Sequence, residues 1–329
     1  MKDKAGKVVK YILLVLIAVA LVYLAFRGLD WKNFVQGLKG TDWWYIILSM
    51  LVFTLAVVFR EERWRSQLLP FDSSISRFSV WHASNVGNLL NVAIPGSGEL
   101  YRCAYVSTAL SPYDRTFGTI LMERAWDVLA IAVLLAVSVL TNVEVIGDFL
   151  LENVAGPFAE RFSFSVWWIV GGAIVFAVCA VYLIFRLGRK HPFFAKVSLS
   201  LKGIFAGFRS FRQVRSKPLF ILYTLGIWMC YILVSYLIFK AVPSLGHLTF
   251  ADAVFISAVG NIASVIPTPG NIGPYHYLVG LALSTIYLGS GGMEATGLLY
   301  ATLSHGAHAA LILILGLYSY IRVSLKKRQ

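Results

Sequence analysis

PGSGELYR, Pro95 to Arg102, interrupts a stretch that otherwise reads as membrane helix. Proline lacks the amide hydrogen that a helix interior needs, and glycine is a poor helix former. Pro95, Gly96 and Gly98 therefore mark a break. Glu99 and Arg102 follow, three apart, and share a face of the next helix. The apolar run Val86 to Ile94 leads in. Broken backbone beside charges at bilayer depth is tolerated only where protein or a water-filled cavity surrounds it. A second break, PTPGNIGP, Pro267 to Pro274, lies far downstream. The two breaks are expected to face each other across one central site.

Outward from these breaks, the 329-residue chain is 58% hydrophobic and only 14% charged. Soluble domains carry about 25% charged residues, so the class is an all-α, polytopic membrane protein. The 22 Phe, 16 Tyr and 9 Trp suit interfacial belts, and Trp43-Trp44 and Trp167-Trp168 stand where spans begin. The net charge of +13 resides mainly in connecting segments. That placement fits the positive-inside rule and anionic lipid headgroups. No basic cluster is interleaved with a nucleic-acid motif, so nucleic acid is not an expected partner. Cys103, Cys179 and Cys230 lie in apolar stretches and read as buried small hydrophobes. The basic amino terminus resembles a signal peptide, but Phe26-Arg27 stands where a cleavage site needs small residues, so Tyr11 to Phe26 reads as a retained span.

In chain order, the full spans are expected at about Val8–Phe26, Trp43–Phe59, Tyr113–Leu140, Ser165–Phe185, Leu219–Phe239 and Gly297–Ile321. Between them lie two re-entrant pairs. The first enters over Arg77–Ile94 and returns over Glu99–Ala109; the second enters over Ala251–Ile266 and returns from Pro274 to about Tyr287. REERWR, Arg60 to Arg65, reads mainly as a solvated anchor at the exit of the second span, with contact of Arg60, Arg63 and Trp64 to lipid phosphate as the alternative. Arg186 to Lys217 carries nine Lys and Arg and no acid, a cytoplasmic basic segment whose stretch Phe193–Phe211 is amphipathic and expected along the inner surface. On this scheme the inner segments hold 21 Lys and Arg and the outer ones 4. The asymmetry supports the span count and an orientation with both termini in the cytoplasm; the expected location is the plasma membrane of a prokaryote, as a multi-pass protein.

Residues 1–329 read as one membrane domain built from two repeats, 8–140 and 165–321. Each runs span, span, broken pair, span, and the first break starts from an inner segment while the second starts from an outer one. Gly87-Asn88 precedes Pro95 as Gly260-Asn261 precedes Pro267, and Arg124 and Asp127 correspond in order to His305 and His308. This is the pattern of an inverted-topology repeat whose broken helices meet near the midplane.

The candidate site follows from chemistry. A helix amino terminus offers unpaired N–H groups and partial positive charge. Gly96, Ser97 and Gly98 open one return helix, and Gly270, Asn271 and Gly273 precede Pro274 at the other, both as anion cradles. Arg102 and Arg124 can hold a phosphate bidentately. Glu99, together with Asn88 and Asn91 on the incoming helix and Tyr275 on the second return, completes the lining. Glu123, Asp127, His305 and His308 can carry protons or form ion pairs, with His276 and Ser304 near them. A closed set of structural ion pairs remains the alternative. No metal site, cofactor site, nucleophile–base pair or nucleotide loop is found, so the chain is not expected to be an enzyme or to be ATP-driven by itself.

Asn88, then Pro95-Gly-Ser-Gly-Glu99-Leu-Tyr-Arg102, then Glu123-Arg124 and Asp127, then Pro269-Gly270-Asn271 and Gly273 together resemble the membrane domain of lysylphosphatidylglycerol synthases, also called the flippase-like domain family. The resemblance spans about Val8 to Ile321. It implies movement of lipids or lipid-linked groups between leaflets. It also implies that Glu99, Arg102, Glu123 and Arg124 form the charged motif, and Pro269, Gly270 and Gly273 the second break. Bifunctional members carry a cytosolic aminoacyl transferase after this region, and the chain ends at Gln329, so synthesis of lysyl-lipid is not expected of it. The expected cargo is an anionic phospholipid or a polyprenyl-phosphate-linked group. An intramembrane enzyme or scaffold acting on such lipids, and a small-solute or ion transporter, stay as alternatives. Self-association is left open.

Overall fold

Helices begin where the sequence supplies a cap and end where it supplies a break. The computed structural model describes Leu16, Val19, Tyr23 and residues 30–141, 192–264, 266, 268–287, 289 and 294–326; among these no strand occurs. The helices are α1 (Trp31–Lys39), α2 (Trp43–Leu68), α3 (Arg77–Ala93), α4 (Ser97–Val106), α5 (Tyr113–Thr141), α6 (Pro192–Phe208), α7 (Lys217–Ala241), α8 (Phe250–Ala263), α9 (Pro274–Ala282) and α10 (Ala295–Lys326). Asp42 caps α2 through the Trp44 amide at 3.0 Å, and Ser76 caps α3 through that of Ser79 at 3.0 Å. Thr249 and Asp252 form a reciprocal capping box on α8.

Both expected breaks are present. Gly96 takes a left-handed φ of 82° between α3 and α4, as a residue without Cβ can. The second break, Pro269–Asn271, is a short 3-10 turn with Gly270 at φ 61°, and Pro274 opens α9. A π turn, Leu283–Tyr287, extends α9. Three described helices, α2, α7 and α10, are long and apolar enough to cross a bilayer. At 1.5 Å per residue the 26 residues of α2 reach about 39 Å. The expected span over 8–26, apart from Leu16, Val19 and Tyr23, and the expected span over 165–185, the acidic stretch after Thr141 and Pro267 itself lie outside the described residues.

The long helices carry apolar side chains outward as well as inward. Leu51, Leu55, Val128, Val133, Leu222, Leu225, Ile314 and Leu317 are exposed, the inverse of a soluble surface and suited to lipid. One buried core gathers Phe239, Phe255, Tyr300, Leu298 and Val279 from the second half. A second gathers Trp64, Leu68, Val80, Cys103 and Ile120.

Helix contacts run across the halves. α2 lies along α7, α3 packs on α10, and α8 packs on α5. α6 is not an isolated surface helix. It lies against α5, where Gly118 and Gly207 let the backbones approach. Two loops are clasped at one end of the first broken pair: Asp72 Oδ2 accepts from Thr108 Oγ1 at 2.7 Å, and its Oδ1 accepts from the Ser74 amide at 2.9 Å.

Candidate functional site

REERWR is not a solvated anchor. α2 continues through it to Leu68, and Glu61, Arg63, Trp64 and Gln67 are buried. Arg60, Arg63, Trp64 and Gln67 recur at i, i+3, i+4 and i+7, one helix face. That periodicity was available in the sequence, but the charges hid it, because a run of Arg and Glu reads as surface. The fold turns the face onto α5.

There Glu123, whose side chain is fully buried, holds three arginines. Arg60 Nε donates to its Oε1 at 2.8 Å, Arg102 Nη2 to its Oε2 at 2.9 Å, and Arg63 Nη2 lies 3.8 Å from Oε1. Arg63 also pairs with Asp127 at 2.7 Å. Arg124 pairs with Glu99 at 2.7 Å and lies 3.9 Å from Asp127. The Arg102 guanidinium rests 4.1 Å above the Trp64 ring, whose Nε1 donates to Thr119 Oγ1 at 2.9 Å. Four arginines and three carboxylates thus form one connected array on α2, α4 and α5. Arg60 and Arg63, expected mainly as interface anchors with lipid phosphate as the alternative, are members of it.

The array leans on the first broken pair. Gly87 and Gly98 bring α3 and α4 into backbone contact, since a Cβ on Gly98 would overlap the Gly87 carbonyl. Asn91 then bridges the break: its Oδ1 accepts from the Gly98 amide at 2.7 Å and its Nδ2 donates to Glu99 Oε2 at 3.2 Å. The Ser97 amide is likewise engaged, on the Ile94 carbonyl at 3.1 Å. The expected cradle at Gly96, Ser97 and Gly98 is therefore capped by the chain itself at Ser97 and Gly98. Asn88 is half-buried one turn before Asn91.

The arginines divide by exposure. Arg102 is buried and locked onto Glu123, whereas the Arg124 side chain is 47% exposed. Of the two expected phosphate ligands, Arg124 is the more exposed, with its Nη2 on Glu99.

The second break joins this site from the other half. Gly270 sits against Val92 of α3, whose Cγ1 lies 3.7 Å from where a Cβ on Gly270 would be. The two breaks are neighbours, as expected. His305 faces the Gly270 backbone and packs 5.5 Å from the Tyr275 ring and 5.0 Å from His276. Tyr275 OH and Ser304 Oγ share a hydrogen bond of 2.8 Å. Asn271 Oδ1 is buried without a hydrogen-bond partner, and Gly273 takes φ 98° before Pro274. His308 stacks on Phe53 at 4.2 Å, and Phe53 stacks on Tyr231 at 6.1 Å. Tyr231 is an electrostatic neighbour of Arg60. A ring of aromatic and imidazole groups therefore links the arginine array to the second break. Glu123 and Asp127 do not converge with His305: the carboxylates face arginines and the imidazole faces Gly270. Among the described residues no three His, Cys, Asp or Glu side chains gather as metal ligands do.

The sequence profile of the lysylphosphatidylglycerol synthase TM region matches residues 11–316. The chain belongs to this family. It is also 24% identical over 284 residues to a UPF0104 membrane protein of Pyrococcus horikoshii, across 80% of this chain and 84% of that relative. No solved structure matches it. Membership in the lysylphosphatidylglycerol synthase TM-region family, with the three apolar helices, makes this a membrane protein. In this member of the family, the charged motif expected from resemblance, Glu99, Arg102, Glu123 and Arg124, is a set of side chains in mutual contact.

Proposed function

We propose that this protein carries a lipid with an anionic, phosphate-bearing headgroup between leaflets, the head passing through the polar centre while the tails stay in lipid. One observation carries the reading: an arginine array is built onto the first broken pair, which the second break touches at Val92, and one guanidinium, that of Arg124, is half open. A membrane protein keeps such charge in its interior for function, and a guanidinium is suited to bidentate phosphate contact. The contacts across halves, α3 on α10 and α8 on α5, support a two-fold arrangement in which the halves rock about the central site. The basic inner segments support an orientation with both termini in the cytoplasm.

The test is reconstitution into liposomes with a fluorescent phosphatidylglycerol, read by bleaching the outer leaflet. Wild-type protein should speed its movement between leaflets over protein-free vesicles. Arg124→Ala should slow it at least tenfold, the cost of one charge-assisted contact of about 1.5–3 kcal/mol. Equal rates for wild type and Arg124→Ala would overturn the assignment of the site.

A further inference from the structure

Beside the array, but not part of it, is a further buried carboxylate. Glu61 of α2 is 5% exposed, and its Oε2 has no hydrogen-bond partner. The groups facing it are Arg102 of α4, Ser84 of α3, Glu123 of α5 and, on its own helix, Arg60. Arg102 is its strongest charged neighbour, yet the Arg102 Nη2 is spent on Glu123. Ser84 supplies the hydroxyl nearest to it, and Arg102 Nε, also buried, lacks a partner.

A protonated Glu61 can donate to Ser84 Oγ, and an ionised one can accept from the same hydroxyl. The ionised form also draws on Arg102, whose Nε–H is not otherwise engaged. An ionised carboxylate buried without a partner costs far more than a neutral one. Glu61 therefore faces both arms of the first broken pair, Ser84 on α3 in either state and Arg102 on α4 when ionised.

The charge count gives this choice a consequence. Arg60, Arg63, Arg102 and Arg124 face three paired carboxylates, Glu99, Glu123 and Asp127. With Glu61 neutral the centre holds one uncompensated positive charge, which a monoanionic phosphodiester can balance. With Glu61 ionised the count closes and the anion is in competition.

We propose that Glu61 couples one proton to the passage of one anionic headgroup. This rests on the transport reading above and specifies how that site is driven. On the donor side, Glu61 Oε2 takes a proton from water as the phosphate settles against the arginines. On the other side it returns the proton to water as the phosphate leaves. Proton and anion travel together and the cycle moves no net charge.

The experiment uses the full chain in proteoliposomes with fluorescent phosphatidylglycerol, fluorescent phosphatidylcholine as the zwitterionic control without net charge, and, in a separate arm, inorganic phosphate in the lumen. An imposed pH gradient should draw labelled phosphatidylglycerol away from the acidic side, with a limiting leaflet ratio of about tenfold per pH unit for one proton per lipid. A membrane potential alone should leave the ratio near one. Glu61→Gln should lose the gradient response, and Glu61→Asp, which restores an ionisable group, should keep it. Infrared difference spectra of the wild type on adding phosphatidylglycerol should show a protonated-carboxyl band. That spectrum decides the question even where Glu61→Gln fails to elute as folded protein, and its absence would overturn the proposal. So would a wild type that moves lipid without regard to the gradient, or a folded Glu61→Gln that still follows it. Wild-type protein that moves no lipid sinks the transport reading instead. Gradient-driven phosphate release with lipid unmoved transfers the proton coupling to a free anion and removes the lipid.

Discussion

At the scale of single residues, Glu123 and Arg124 are adjacent in sequence and differ in what they do. Glu123 is fully buried and compensates Arg60, Arg63 and Arg102. Removing one partner from a buried ion cluster leaves uncompensated charge, at a cost of about 3–5 kcal/mol. Glu123→Ala should therefore lower the unfolding temperature in detergent sharply, or prevent accumulation of folded protein altogether. Arg124 is half exposed, and its pairs with Glu99 and Asp127 are screened. Exposed pairs contribute at most about 1 kcal/mol, so Arg124→Ala should leave the unfolding temperature nearly unchanged while slowing lipid movement. Thermal unfolding of the two variants side by side checks the contrast, and equal destabilisation would contradict it.

At the scale of elements, the first broken pair is held at both ends. Asn91 caps α4 across the break at one end. At the other, Asp72 binds Ser74 and Thr108 and so ties the loop after α2 to the loop after α4. Hydrogen bonds from the Ser74 side chain, then the Thr108 hydroxyl and the Ser74 amide, hold the Asp72 carboxyl below its usual range. A depressed carboxylate adds stability that is complete above its unfolded value, about 3.9, and that fades as pH falls through the lower folded value. Asp72→Asn should therefore be less stable than wild type at neutral pH, and the difference should shrink once the pH drops below about 4. Unfolding temperatures across that range measure it; a constant difference would show that the clasp acts through shape alone.

At the scale of the whole molecule, much of the packing is between halves. α2 runs along α7, α6 along α5, α3 on α10 and α8 on α5. Side chains from the two halves interlock in detail, with Phe59 seated over Gly226 and Leu89 over Gly316. Neither half buries these surfaces alone. Residues 1–164 and 165–329, expressed as separate chains in one cell with a tag on the first, should copurify, and each expressed alone should be degraded or aggregate. Independent, stable halves would argue against a shared core.

The helical membrane class, the two breaks and most helix starts follow from the chain read locally. Proline's missing amide, glycine's left-handed freedom and a serine or aspartate cap act within a few residues, and hydropathy accumulates along the chain without regard to partners. Pro95–Gly98 and Pro269–Asn271 were legible for that reason. The direction in which REERWR points was not. Arg60 meets Glu123, and Arg63 meets Asp127, across more than sixty residues of sequence. The rotation of α2 that brings them together is decided by α5 and α7 packed beside it. Only the tertiary structure could turn a stretch that reads as surface charge into the centre of the protein, because burying charge depends on the partners waiting there.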